Sequence, residues 1–511
     1  MWGRSMPGCT MTPIESLKAV EDGLLVKDRI AQYAQTGWES IPADDIQRLK
    51  WHGIFLRNPT PGFFMMRLRI PGGQTTTTQV RTIASLATRY GNGILDVTTR
   101  QQIQLRQLTI GDIPAILDAL DAVGLSSIQT GMDNVRNVMT CPVAGLTPGT
   151  PLDASALVRQ LSATVLNTPA YSNLPRKINI VITGCLDNCV HAETQDIALI
   201  PAQVGEMLGY NVLVGGKLGS GGYHLARPLD VFVREPEVVE VCRAILDLYR
   251  DHGPRESRTQ ARLAFLIEEW GMPTFRDRIV HQVGHPLMTA GVDLRRPMES
   301  THLGIFRQVQ SGLNYAGLKI VVGRMSAKDL EALCDLTDQY GTGDLRFTPA
   351  QALIIPNIPD RKIGDFAEEP LIQTFTFNPS PLAQGLVSCV GSDYCNLAVI
   401  ETKRQAVQVA QALDRLLPST IKPLTMHWSG CPAACGNHLV ADIGLLGKKI
   451  KVNGQVVEGV DIFVGGRSGP QAHLATKLLE DVPCTDLPRV LASLIPYHTR
   501  EKMHRRRGKL S

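Results

Sequence analysis

At 511 residues, with 43% hydrophobic and 20% charged side chains, the chain has the composition of a globular protein too long for one compact core, so two or three domains are expected. Its net charge of +4 is too mild to point to nucleic acid, and no apolar run is long enough to span a bilayer. The first 22 residues lack an apolar core with a small-residue cleavage site, so a cytoplasmic protein is expected, its eleven cysteines serving as thiols or ligands rather than disulfides.

Residues 1–44 read as an N-terminal extension. From Phe64 to Ile70 the alternation predicts a strand, and Val80, Ile83, Ala87 and Tyr90 share a helical face that Gly91 ends. Strands follow over 94–98 and 103–108, then a helix capped by Asp112, carrying Ile113, Leu117 and Leu120 and closing at Gly124. That order is the split β-α-β pattern of a ferredoxin-like half-domain, placed at 45–131. Residues 132–290 mix strands and helices around Gly184-Cys185…Cys189. A second half-domain, 300–372, repeats the pattern: strand Leu318–Val322, a helix-start box at Ser326 and Asp329, a face of Leu330, Leu333 and Thr337, and strands near 345 and 353. A second mixed region occupies 373–499. The tail 500–511, with Arg505-Arg506-Arg507, reads as a solvated basic terminus or a contact for an acidic partner.

The chain repeats itself. Tyr90-Gly91-Asn92-Gly93 returns as Tyr340-Gly341-Thr342-Gly343, and Val214-Gly215-Gly216 as Val464-Gly465-Gly466, both at an offset of 250. Gly184-Cys185…Cys189 returns as Gly430-Cys431…Cys435, and Asp196-Ile197-Ala198-Leu199 as Asp442-Ile443-Gly444-Leu445, both at 246. Ordered matches at nearly constant spacing mark one duplicated unit of α/β (α+β) character, not a short-period solenoid.

The second copy carries Cys389, Cys395, Cys431 and Cys435 as C-x5-C…C-x3-C. Thiolates are soft ligands, which leaves zinc, copper(I) or an iron–sulfur cluster. Zinc knuckles prefer two to four residues between paired cysteines, whereas a cubane tolerates wider loops, and a proline after a ligand cysteine, here Pro432, recurs in ferredoxin-type runs. An iron–sulfur site fits this spacing better than zinc or unligated core thiols. In the first copy Cys185 and Cys189 stand opposite Cys431 and Cys435, and Cys141 roughly opposite Cys389, but Cys395 has no partner. That copy therefore cannot complete a four-thiolate site, and its cysteines read as relics or core thiols.

The first copy keeps cations instead. Arg100 stands opposite Ala350, Lys177 opposite Pro423 and Asn179 opposite Thr425, and Arg136 likewise has no charged counterpart. Cations confined to one copy suit an anion site. Gly215–Gly222 lacks the G-x-G-x-x-G order of a dinucleotide loop and reads as a turn approaching a cofactor.

A duplicated unit with this cysteine pattern resembles the sirohaem- and [4Fe–4S]-containing sulfite/nitrite reductases over about residues 45–495, and among them the ferredoxin-dependent assimilatory nitrite reductase branch. The resemblance implies two half-domains paired in a central module, flanked by two larger α/β domains that sandwich sirohaem and cluster. It implies that Arg100, Arg136, Lys177 and Asn179 surround the anion, that Cys389, Cys395, Cys431 and Cys435 hold the [4Fe–4S] cluster, and that Cys435 also ligates the haem iron. Arg67 and Arg69 would hold haem carboxylates. The implied reaction is six-electron reduction of nitrite to ammonium by a monomer fed by reduced, acidic ferredoxin. Sulfite reduction uses the same cofactors, and a non-enzymatic metal scaffold would need no anion pocket. Lys177-Ile178-Asn179 has one lysine and a neutral amide where sulfite-reducing relatives tend to carry two lysines, which favours nitrite.

Overall fold

The computed structural model describes residues 11–219, 221–297, 300–418 and 420–496; the basic tail lies outside them. Its centre is a pair of five-stranded sheets that exchange a strand. In the first, Ile54–Leu56, Phe64–Arg67, Ile103–Leu108 and Ile94–Val97 lie side by side and are completed by Arg324–Ser326 from the second unit. In the other, Gly304–Arg307, Leu313–Lys319, Ala352–Pro359 and Asp344–Phe347 are completed by Gln74–Thr76 from the first. Neither half-domain closes without its twin.

The exchange has a local cause. Each swapped strand follows a tight turn ending in a left-handed glycine, Gly73 (φ 71°) and Gly323 (φ 67°). A Cβ on Gly73 would stand 2.2 Å from the Phe347 carbonyl, and one on Gly323 2.5 Å from that of Val97, so only glycine lets the two units approach this closely. The helices that follow, Thr77–Tyr90 and Ala327–Tyr340, both begin with a full capping box and share one core in which Val80, Ile83, Leu330 and Leu333 are wholly buried. The twins are pinned by two equivalent glutamines. Gln101 Nε2 donates to the carbonyls of Gly72 and Phe347 (3.1 Å each), and Gln351 Nε2 to those of Val97 (3.2 Å) and Ser388 (2.8 Å).

Each unit also carries a flanking sheet of the same design: three parallel strands followed by two antiparallel ones. These are Val135–Met139, Ile178–Ile182, Ile197–Val204, Met207–Val214 and Arg227–Val233 in the first unit. In the second they are Gly385–Ser388, Thr425–Ser429, Ile443–Val452, Gln455–Val464 and Thr476–Pro483. The duplicated aspartate anchors both: Asp196 accepts the Asn179 amide (2.7 Å), and Asp442 accepts that of Thr425 (2.9 Å).

Two expectations need correcting. The strand placed at Leu318–Val322 runs instead from Leu313 to Lys319, because Val321–Gly323 is the turn that sends the chain across to its twin. Asp112 does not cap the helix Ile113–Asp121; its own backbone is helical, and its carboxylate accepts the Thr109 hydroxyl at 2.6 Å. The described part of the N-terminal extension is an integral layer. Val26, Ile30 and Tyr33 join the first half-domain's core, and buried Lys18 donates to the Leu174 carbonyl at 2.9 Å.

A buried ion cluster ties the central module to the second flanking domain. Asp96, 2% exposed, meets Arg106 at 2.7 Å, Arg324 at 3.0 Å and Lys403 at 3.3 Å. Burial pushes its carboxyl up, but Lys403, Arg106 and Arg324 outweigh this and hold it below its ordinary value of 3.8. The stabilisation is therefore full above about pH 3.8 and is lost only as pH falls below it. Asp96→Ala strands three cations and should cost about 3–5 kcal/mol. Urea unfolding at pH 7 checks this; a loss below ~1 kcal/mol would mean that the cluster is not a structural tie.

Candidate active site

The first unit brings its cations to one place through neighbouring backbone. Val135 and Ile178 are register partners in parallel strands, so Arg136 and Lys177 leave the sheet at the same end. Asn137 Nδ2 donates to the carbonyls of Ile70 (2.7 Å) and Arg100 (3.0 Å), which hangs the Arg100 turn from that sheet. Gln101, with φ 57°, makes the turn tight enough to present Arg100. Behind them Arg262 grips Asp196 with two bonds of 2.7 Å while Asp196 holds the Asn179 amide, so the strand carrying Lys177 and Asn179 is braced from below.

None of Arg67, Arg100, Arg136 or Lys177 meets a carboxylate among the described residues. Nε of each of the three arginines and Oδ1 of Asn179 are buried without a hydrogen-bond partner. Burial, then Arg262, Arg100 and Arg136, drive the Lys177 ammonium well below its ordinary 10.5, while the Cys435 sulfur opposes them. Arg67 is pushed down to about 9, first by burial and then by Arg100, again against Cys435. Arginine keeps its charge in proteins, so this depression measures how poorly protein alone solvates it. Uncompensated cations and orphaned donors are what a polycarboxylate macrocycle and a small anion would satisfy.

Arg69 behaves differently. Its guanidinium donates to the carbonyls of Ile128, Gln129, Val135 and Arg136 at 2.6–3.2 Å, so it braces the anion-site strand and has little left for a haem carboxylate. Arg136 also spends part of its fork on the carbonyls of Thr130 and Met132, leaving Nε free.

The second unit supplies the thiols. Cys389 follows the strand Gly385–Ser388, and Cys431 and Cys435 lie on the loop after Thr425–Ser429. Burial raises Cys431 to about 12, and the sulfurs of Cys435, Cys395 and Cys389 add to the rise, so the four thiols are electrostatic neighbours. The Gly430 amide donates to Cys389 Sγ (3.1 Å) and that of Leu397 to Cys395 Sγ (3.3 Å). Such N–H groups stabilise thiolate and tune a cluster's potential, so the donor set fits an iron–sulfur centre. The glycine-rich stretch of the first unit does come against this loop: a Cβ on Gly219 (φ 119°) would stand 2.7 Å from the Ala433 carbonyl.

The two halves of the site meet at Cys435. Thr99, next to Arg100, donates its hydroxyl to the Cys435 carbonyl at 3.0 Å. The first half-domain also grips the other cysteine loop: Arg57 donates to the carbonyls of Ser392 and Asp393, and Asn396 Nδ2 to that of Leu56 at 2.9 Å.

The family model for the "Nitrite/Sulfite reductase ferredoxin-like half domain" matches residues 57–123 and 306–371, and that for the "Nitrite and sulphite reductase 4Fe-4S domain" matches 131–287. The chain is 45% identical to the ferredoxin–nitrite reductase of Synechococcus elongatus over 95% of its own length and 96% of the relative's. The chain belongs to the nitrite and sulfite reductase family. It is 39% identical to the chloroplastic ferredoxin–nitrite reductase of Spinacia oleracea, over 95% of this chain and 85% of that one. Among solved structures, Mycobacterium tuberculosis NirA superposes with a TM-score of 0.89 at 30% identity, covering 94% of this chain and 92% of that one.

Sequence reasoning missed Arg262 and Asn137, which act on the cations through backbone and a shared aspartate. The recurrence of Asp196 as Asp442 was the available signal for the first. It also missed what becomes of the first copy's cysteines: with His302, the ligand atoms of Cys141, Cys185 and Cys189 all lie within 4.8 Å of one another.

Lys177 gives a pH test on the cofactor-free protein. The unfolded chain binds its proton near 10.5 and the folded chain only well below that, so between the two values stability should rise with pH. Lys177→Met should flatten that rise and stabilise the cofactor-free fold by about 1–2 kcal/mol at pH 7. Thermal unfolding of both proteins across pH 7–10 decides it; a destabilised variant would mean that Lys177 has a partner.

Proposed function

We propose that the chain is a ferredoxin-dependent nitrite reductase that carries nitrite to ammonium in six one-electron steps. The observation carrying this reading is the meeting of Arg67, Arg100 and Lys177 from one repeat, none in an ion pair with a carboxylate among the described residues, with Cys435 from the other. When bound, sirohaem supplies the iron that takes the anion, and a [4Fe–4S] cluster held by Cys389, Cys395, Cys431 and Cys435 supplies its electrons.

The chain's own residues do the rest. Arg67, Arg100 and Arg136 hold fixed positive charge where the carboxylates of the macrocycle and the substrate's negative charge must sit, and they need no reorganisation when that charge develops. Lys177, its ammonium already destabilised by burial and three neighbouring guanidinia, is the readiest proton donor among them as oxygen leaves nitrogen. The Asp196–Arg262 pair keeps Lys177 aimed without neutralising it. Electrons come from a separate protein; a small acidic ferredoxin matches the mildly basic chain.

Asn179 bears on substrate choice. Its Oδ1 is buried without a partner beside these cations, so a neutral amide stands where a further cation would draw in a bulkier, more negative anion. Asn179→Lys should lower nitrite turnover, raise sulfite turnover, and shift the ratio of kcat/KM for the two anions by about 5- to 150-fold, equivalent to about 1–3 kcal/mol. Steady-state rates with one reductant at fixed pH measure it. An unchanged ratio would remove Asn179 from specificity, and a wild type that prefers sulfite would overturn the nitrite assignment.

A further inference from the structure

We propose that Cys141, Cys185, Cys189 and His302 bind a single structural zinc ion, separate from the redox centres. The four ligand atoms lie within 4.8 Å of one another, all four residues are at most 7% exposed, and Cys141 Sγ stands 3.4 Å from His302 Nε2. Tetrahedral zinc, with Zn–S near ~2.3 Å and Zn–N near ~2.0 Å, brings its ligands together at about this spacing. A cubane cannot occupy the same place, because its thiolates attach at the outer corners of a much larger body. Three soft thiolates and one imidazole form a structural zinc set, and C-x3-C lies within the usual pair spacing. The burial leaves no open position for water, which separates a structural site from a catalytic one.

The surroundings are built for a metal. His302 Nδ1 lies 3.4 Å from Ser300 Oγ, and the His302 amide donates to that same oxygen at 3.1 Å, which turns Nε2 towards the sulfurs. The Asp187 amide donates to Cys185 Sγ at 3.4 Å. Around them Met139, Val143, Val181, Val190 and Ala192 form a dry shell. Arg346, from the second half-domain, donates to the carbonyls of Pro142 and Ala144 and places a cation near a site whose three thiolates outweigh the metal's charge by one. On binding, the thiol protons pass to solvent and no electron moves.

The site has a mechanical use. Cys141 and His302 are 161 residues apart, and His302 sits just before the strand Gly304–Arg307 that opens the second half-domain. Zinc here would staple the first flanking domain to the start of the second unit, in the position where the other repeat keeps its redox thiols.

The test uses the holoenzyme purified without a histidine tag or chelators. Metal analysis should find zinc equimolar with the chain in addition to cofactor iron, and zinc-edge X-ray absorption should give three sulfurs at ~2.3 Å and one nitrogen at ~2.0 Å. Cys189→Ser and His302→Ala should each lower the zinc-to-chain ratio about tenfold or more while iron per chain and the visible spectrum stay at wild-type levels. If neither variant folds, the wild-type metal content and absorption edge still decide. Wild type without zinc, full zinc in both variants, a disulfide among the three cysteines, or iron lost with Cys189 would each overturn the proposal.

Discussion

Four cations held in protein without a carboxylate beside them are the constraint on which the rest of the structure turns. Burying unpaired charge costs several kcal/mol per ion unless something else neutralises it. Among the described residues Arg67, Arg100, Arg136 and Lys177 meet no carboxylate in an ion pair; the Cys435 sulfur of the other repeat offsets the burial of Arg67, Arg100 and Lys177, and Asp133 only weakly that of Arg136. Around these cations the fold is arranged to keep the charge from relaxing. Arg69 is locked onto four carbonyls, Asn137 fixes the Arg100 turn, and Asp196 is already taken by Arg262. Ligand binding is then the step that relieves the cost, and the energy set aside in folding reappears as affinity for anions.

The duplication explains how one chain can build such a site. Strand exchange makes the twin half-domains a single body, and the loops of the two flanking domains meet, with Asn188 Nδ2 donating to Ser468 Oγ at 3.2 Å. Glycine at 73 and 323 permits the crossing, and Gln101 and Gln351 close it with buried hydrogen bonds. Once the scaffold was symmetric, each copy could lose what the other kept. Ala350 and Pro423 stand where Arg100 and Lys177 stand in the first copy, and the first copy has no equivalent of Cys395.

Most of the architecture was legible in the sequence, because hydrophobic period, glycine stops and the repeat offset are local properties. The capping box at Ser326 and the helix face of Val80, Ile83 and Ala87 are of this kind. What could not be read is what depends on the other copy or on distant backbone. The strand at Leu313–Lys319 was placed late because nothing local marks Val321–Gly323 as a crossover. The four carbonyl bonds of Arg69 could not be read, because a side chain bound to carbonyls looks, in sequence, like any other arginine. The gathering of Cys141, Cys185 and Cys189 with His302 could not be read, because repeat alignment compares cysteine with cysteine, whereas their fourth neighbour is a histidine from beyond the first unit. The cation set stood out in the sequence because Arg100 and Lys177 are replaced by Ala350 and Pro423 in the other copy, and the second copy's thiols because only there does Cys395 complete a set of four.

The central claim is that redox metal sits where the second repeat's thiols face the first repeat's cations. An anomalous-difference map from holoenzyme crystals at the iron edge tests it most directly. The account predicts iron within bonding distance of Cys435 Sγ, on the side facing Arg67, Arg100, Arg136 and Lys177. Iron beside Cys141, Cys185 and Cys189 with none at Cys435 would contradict it.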